Sequence, residues 1–232
     1  MTPRPILTGF VTVVASCMIL LAALVAPAQD GGGGPYAPDG IAVANLVYAE
    51  GRSGVCFADQ FLTTYARETG QQVERTFVSV QLGEDALFDH PFVVLSGEKT
   101  FTLSQGEKDN LKAYIDRGGF VLASAGCSNR AWAESFLAVM HELYGEDVLT
   151  PLDTTHPILN TLYDIDTIEV RRATGGSALY GLEVDGRVRV VFTPIGLNDT
   201  ANAGGGCCCC GGSEIRNARL INANILAYAL TH

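Results

Sequence analysis

Apolar residues run almost unbroken from Ile41 to Ala49, IAVANLVYA, interrupted by Asn45 alone. A run of strand length with no polar alternation predicts a strand buried on both faces. The period then changes. In VCFADQFLTTYARETG, from Val55 to Gly70, the residues Phe57, Phe61, Leu62 and Tyr65 fall on one helical stripe, and Gly70 supplies the stop. VERTFVSV and HPFVVLSG read as the second and third strands. Ser104 and Glu107 form a capping box ahead of Leu111, Tyr114 and Ile115, the apolar face of the next helix, which Gly118-Gly119 ends. FVLASAG is a fourth strand and leads into CSNRAWAESFLAVMHELYG, where Trp132, Phe136, Leu137, Met140 and Tyr144 mark an amphipathic helix.

Residues Asp147 to Asp166 show no period and read as irregular, followed by a strand in TIEVRRA. ALYGLEV and RVRVVFTPI flank Asp185-Gly186, a turn dipeptide that predicts a hairpin. Ser213 is placed to cap a last helix with Ile215, Ala218, Ile221, Ile225 and Leu230 at helical spacing. Strands alternating with helices of this length predict an α/β fold. The expected architecture is a flavodoxin-like, three-layer sandwich with a mostly parallel sheet and a late β-hairpin.

The amino terminus has a different character. Arg4 precedes an apolar run from Phe10 to Val25 and then Ala26-Pro27-Ala28, so residues 1–28 read as a secretory signal peptide. The run is shorter than the roughly 18 to 20 apolar residues a spanning helix needs. Val14-Ala15-Ser16-Cys17 resembles a lipoprotein box, so the membrane enters only through the signal segment or a lipid at Cys17. Residues 29–40 are a Gly/Pro-rich flexible lead-in, and 41–232 form one domain. The protein is therefore expected outside the cytoplasm, periplasmic or secreted.

Removal of residues 1–28 takes away Arg4 and no acid, which moves the formal charge from −10 to −11. An acidic surface is the wrong sign for a nucleic-acid partner. The partner is expected to be an envelope protein or a small ligand. No GxGxxG, Walker loop or HExxH occurs, which argues against nucleotide and zincin chemistry.

The candidate chemistry lies in sulfur. Of seven cysteines, cleavage removes Cys17 and leaves Cys56, Cys127 and the adjacent run Cys207, Cys208, Cys209 and Cys210. Cys56 follows the first strand, Cys127 the fourth, and the run follows the last, so all six are expected at the carboxyl edge of the sheet, where open parallel sheets bind ligands. Two uses are open from the residues themselves. Disulfides are the default in an exported protein, and bridges from Cys56 and Cys127 to the run would pin a long loop. A thiolate site for zinc or an iron–sulfur unit would draw on the same six residues, with Gly204–Gly206 and Gly211-Gly212 letting the backbone bend.

Glu50, Arg52, Ser53, Asn198 and Asp199 are further candidates for lining a pocket at this edge. His90 precedes its strand and belongs to the opposite edge, while Trp132 and Met140 fit a core stripe.

The segments PFVVLSGEKTFTLSQGEKDNLKAYIDRGGFVLASAGCSNRAW, THPIL and LNDTANAGGGCCCCGGSEIRNARLINANILAYALTH are similar to the bacterial domain of unknown function family 4159, over about Ile41 to His232. The resemblance implies a class I glutamine amidotransferase-like fold and an exported or membrane-associated setting, and it implies no activity. In such a fold Cys127 occupies the strand-to-helix turn that carries the nucleophile, which makes a cysteine-dependent hydrolase or amidotransferase-like enzyme the rival to a non-enzymatic binding or structural module. Ala125 and Asn129 stand where that turn usually has glycine, and neither His156 nor His232 is placed as a partner base.

Overall fold

The computed structural model describes residues 40–171, 176–202 and 215–232. The signal segment, most of the lead-in, Ser213 and the run Cys207–Cys210 lie outside the described residues.

Seven strands form one sheet: β1 (Ala44–Val47), β2 (Val78–Gln81), β3 (Phe92–Gly97), β4 (Phe120–Ala125), β5 (Thr150–Pro151), β6 (Tyr180–Val184) and β7 (Arg187–Thr193). Their order is β2-β1-β3-β4-β7-β6-β5. The first five in that order are parallel, and β6 and β5 continue antiparallel. Among the described residues four α-helices cover the sheet: α1 (Gln60–Thr69), α2 (Gln105–Asp116), α3 (Arg130–Tyr144) and α4 (Ala218–Thr231). The architecture is the expected three-layer α/β sandwich.

The central strands are apolar at both parities because each parity meets a different core. Phe92, Val94, Phe120, Leu122 and Val191 pack with Phe61, Leu62 and Tyr65 of α1 and Ile221 and Ile225 of α4. Val93, Leu95, Val121, Val190 and Phe192 pack with Leu111 and Ile115 of α2 and Trp132 and Phe136 of α3. β3 and β4 pair residue for residue from Phe92↔Phe120 to Gly97↔Ala125, which fixes which side chain enters which core. The capping box of α2 forms as read, with the Ser104 hydroxyl accepting from Glu107 N–H.

Four readings of the sequence are corrected. α1 begins at Gln60 and not at Val55, because the stretch before it is tied elsewhere: Ala58 N–H donates to Asn198 O at 2.8 Å. The segment TIEVRRA contributes a single bridge, Val170↔Ile215, and no strand among its described residues. Its backbone is taken by a side chain: Asn217 Oδ1 accepts from Glu169 N–H at 3.0 Å and Nδ2 donates to Thr167 O at 2.8 Å. Asn217 is accordingly the residue that precedes α4, in place of Ser213. Within the stretch expected to be irregular, Thr150–Pro151 pairs with β6 at the sheet edge, where a proline costs no ladder bond.

Candidate functional site

The chain leaves β1 for β2 on one side and returns to β3 on the other, so the strand order reverses between β1 and β3. Ligands of open α/β sheets bind outside the carboxyl ends of the strands at such a switch point. The loops after β1 and β3 enclose a cleft of about 430 Å³ there, with Tyr48, Arg52, Ser53, Cys56, Glu98 and Lys99 in its lining and Gly126, after β4, at its far side.

The backbone around this cleft is held in unusual conformations. Eight described non-glycine residues have positive φ, and five of them, Ala49, Glu50, Lys99, Cys127 and Ser128, lie within three residues of the ends of β1, β3 or β4. Left-handed backbone is costly for residues with a Cβ and persists where the surroundings dictate it, as functional sites commonly do. Here the surroundings are specific. Tyr48 and Arg52 exchange backbone hydrogen bonds at 2.9 and 2.8 Å, closing the turn after β1. Glu107 Oε1 accepts from Ala49 N–H at 2.7 Å, which ties that turn to the start of α2. The Arg52 guanidinium donates to Thr100 O and so links the loops after β1 and β3.

The floor of the cleft admits no side chain at two positions. A Cβ on Gly97 would lie 2.2 Å from Tyr48 Oη and 2.9 Å from Trp132 Nε1, and one on Gly126 would lie 2.9 Å from Gly97 O. Tyr48 is fixed from both ends, accepting from Trp132 Nε1 at 2.6 Å and donating to Ser96 O at 3.0 Å. Burial pushes its pKa up to about 12, so the phenol stays neutral and serves as a structural post.

Beneath the cleft, on the α1/α4 side, the apolar strands end in a polar row. Ser96 pairs with Ser124, and Ser124 with Thr193, across β3, β4 and β7. Ser124 Oγ donates to Asn198 Oδ1 at 2.8 Å and accepts from Leu197 N–H at 2.9 Å, while Ser96 Oγ reaches the same Asn198 oxygen at 3.4 Å. Thr193 Oγ1 accepts from the N–H groups of Ile195 and Gly196, both at 3.2 Å. The row therefore holds the loop that follows β7, residues 195 to 199, against the ends of three strands.

Cys56 lies buried in the cleft lining and Cys127 in the turn after β4, both at the carboxyl edge, and both are disulfide-bonded. Cys127 Sγ is 3.4 Å from Glu98 Oε1. A bridged sulfur carries no proton to donate there. Cys207, Cys208, Cys209 and Cys210 lie outside the described residues. Among the described residues no three His, Cys, Asp or Glu side chains come together as a metal site.

The other candidates separate. Arg52 and Ser53 line the cleft, and exposed Glu50 does not. Asn198 is 2% exposed and serves the polar row. Asp199, 6% exposed, accepts from Asn202 Nδ2 at both oxygens, and burial holds its pKa above the usual carboxylate range. His90 sits at the opposite edge with Nδ1 3.0 Å from Ala42 O. His156 Nδ1 accepts from Ile158 N–H at 3.2 Å, the role of a cap.

The family model of a domain of unknown function, DUF4159, matches residues 44–230. The chain belongs to this family. The match begins at the first residue of β1 and ends within α4, so the switch-point cleft and six of the cysteines fall inside the family's domain. No curated protein matches the chain.

Reading of the sequence missed Glu98, Lys99 and Glu107 as parts of this site. The signal for the first two was present in SGEK, the polar stretch directly after the third strand. Glu107 was visible only as a capping residue, because its second contact, to Ala49, crosses 58 positions of the chain.

Proposed function

We propose that the protein is an exported, non-enzymatic binding module of the class I glutamine amidotransferase-like superfamily, with a small ligand or the exposed tip of an envelope partner seated in the switch-point cleft. The observation that carries this reading is the coincidence of cleft and constraint. The cavity at the β1/β3 reversal is bordered by the same turns that hold five positive-φ residues, Ala49, Glu50, Lys99, Cys127 and Ser128. Strain maintained at one edge of a sheet is the mark of an arrangement kept for recognition. In this reading Cys56 and Cys127 bridge to the run Cys207–Cys210, so that the loop after β7 is stapled beside the cleft. A thiolate metal site for zinc or an iron–sulfur unit is the competing use of those sulfurs.

Two measurements on the mature protein, kept free of reductant and added metal, test this. A fragment screen followed by amide NMR should give hits that shift Gly51 to Cys56 together with Gly97 to Lys99, and hits that avoid those residues altogether overturn the cleft as the ligand site. Mass mapping of the unreduced protein should find Cys56 and Cys127 each joined to the peptide that holds Cys207–Cys210. Bridging of Cys56 to Cys127, or a mass raised by zinc or iron, overturns the staple.

A second reading, a cysteine-dependent hydrolase, is favoured by the backbone of Cys127, with φ 50° and ψ 35° at a strand-to-helix turn. Against it, a disulfide sulfur is not a nucleophile until it is reduced. Alkylation of Cys127 alone, in protein never exposed to reductant, would establish that second reading in place of the first.

A further inference from the structure

A second cavity, of about 440 Å³, opens on the α1/α4 side and is lined by Arg67, Arg216 and Arg219 together with Thr64, Glu169 and Asp199. The three guanidinium groups arrive from the last turn of α1, from the segment entering α4 and from the first turn of α4. In a chain of net charge −10 this concentration of arginine runs against the average field of the molecule.

Two carboxylates, Glu169 and Asp199, line the same cavity, and among the described residues neither makes a hydrogen bond to a guanidinium of the three arginines. Both oxygens of Asp199 are occupied by Asn202, and Arg219 Nε stays 3.9 Å away, beyond a hydrogen bond. Arg67 pairs with Glu68 at 2.7 Å, but its side chain is 67% exposed, and such pairs exchange partners at little cost. The only polar contact of Arg216 among the described residues is made by its backbone, whose N–H donates to Glu169 O at 2.9 Å. Its guanidinium carries five donors and a full charge into the cavity rim, with no acceptor among the described residues. Asn217, the residue that would ordinarily cap α4, spends its side chain on Thr167 and Glu169, so the first turn of the helix has no side-chain cap.

We propose that this cavity is an anion subsite for a small molecule bearing a carboxylate or a phosphate, gripped by Arg216 and Arg219 with Arg67 closing from α1. Guanidinium forks match the paired oxygens of both groups, and charge-assisted bonds of this kind are the strong ones. Asp199 stands behind Arg219 and limits how tightly an anion is held. The subsite is formed by other residues than the switch-point cleft and does not rest on its reading.

The test is an amide and guanidinium NMR titration of the mature protein with sodium phosphate and, separately, with sodium malonate, at constant ionic strength made up with chloride. Saturable shifts at Arg67 and from Arg216 to Leu220 are expected with at least one of the two, and the tighter one identifies whether phosphate or carboxylate is the cognate group. Arg216→Ala and Arg219→Ala should each weaken that binding about tenfold, the value of one lost charge-assisted contact. Asp199→Asn should tighten it severalfold, and Arg187→Ala, on the hairpin, should leave it unchanged. Shifts that never saturate with either anion, or that are the same in Arg216→Ala as in the native chain, overturn the proposal. Arg216 is exposed, so its variant reports on binding and not on folding.

Discussion

The sheet is closed differently on its two faces at the carboxyl end. On the α2/α3 face the apolar layer continues to the rim as an aromatic chain, in which Trp132 stacks on Phe136 with centroids 5.6 Å apart and Phe136 on Phe192 at 5.0 Å. The Tyr48 hydroxyl is a polar element set within it, accepting from Trp132 Nε1. On the α1/α4 face the apolar layer stops one residue pair earlier, at the row Ser96, Ser124 and Thr193, and Asn198 and Asn222 fill the space above. The first face is held by packing and supports the floor of the cleft. The second is held by hydrogen bonds that act on a loop and set where the chain goes after β7. A rigid floor and a directed loop are different requirements, and the two faces meet them with different chemistry.

The largest effect should come from the packed face. Trp132 is fully buried, and Trp132→Ala should cost about 3–5 kcal/mol, the usual loss for a large core aromatic. Urea unfolding of the unreduced protein measures it, and a loss under about 1 kcal/mol would show that this face is no stiffer than the other. Tyr48 gives the next effect, and it depends on pH. The folded protein keeps the phenol protonated to about 12, whereas the unfolded chain loses that proton near 10. Its contribution is therefore complete below pH 10 and is lost as pH rises from 10 to 12. The native protein should lose roughly 3 kcal/mol more than Tyr48→Phe across that window. Equal losses in the two proteins would remove Tyr48 from the account.

On the hydrogen-bonded face the unit of loss is smaller. Ser124→Ala takes the acceptor from Leu197 N–H and the closer donor from Asn198 Oδ1, and should cost about 1–3 kcal/mol. Because the energy is stored in the path of a loop, hydrogen exchange should accelerate at residues 195 to 199 well before it does in β3 and β4. Uniform acceleration would mean that the row supports the whole core.

The sequence disclosed the packed face and hid the other. Trp132, Phe136 and Met140 repeat at helical spacing, and Phe120 to Ala125 is apolar throughout, so both core elements follow from local periodicity. The capping box and the Asp185-Gly186 turn are equally local, since every residue that decides them lies within four positions. The polar row appears in the sequence as single serines and a threonine inside apolar strands, and only the register Ser96↔Ser124↔Thr193 makes it a row. The errors at TIEVRRA and at the start of α1 have the same origin. Asn217 and Asn198 reach across 48 and 140 positions to take backbone groups that local patterning had assigned to a strand and a helix. The cleft was half legible: Arg52, Ser53 and Cys56 follow the first strand, but Glu98 and Lys99 became candidates once β3 was known to lie beside β1.

The smallest effect sharpens the comparison most, because it asks whether the second face is built for stability at all. Asn222 and Asn224 both lie on α4 and both are fully buried. Asn224 is satisfied throughout, with Nδ2 donating to Leu159 O and Tyr163 O and Oδ1 accepting from Leu162 and Tyr163 N–H. Asn222 Nδ2 donates to Leu197 O at 2.8 Å, but among the described residues its Oδ1 has no hydrogen-bond partner. Replacing it with leucine removes an orphaned acceptor and strands one carbonyl, two changes of about 1–3 kcal/mol with opposite sign. Asn222→Leu should therefore leave unfolding free energy within about 1 kcal/mol of native while loosening residues 195 to 199 in hydrogen exchange. A half-satisfied amide that costs as much as it contributes is retained for where it sends the loop. A loss above about 2 kcal/mol would instead make Asn222 a structural anchor like Asn224, and the two faces would then differ in their atoms but not in their purpose.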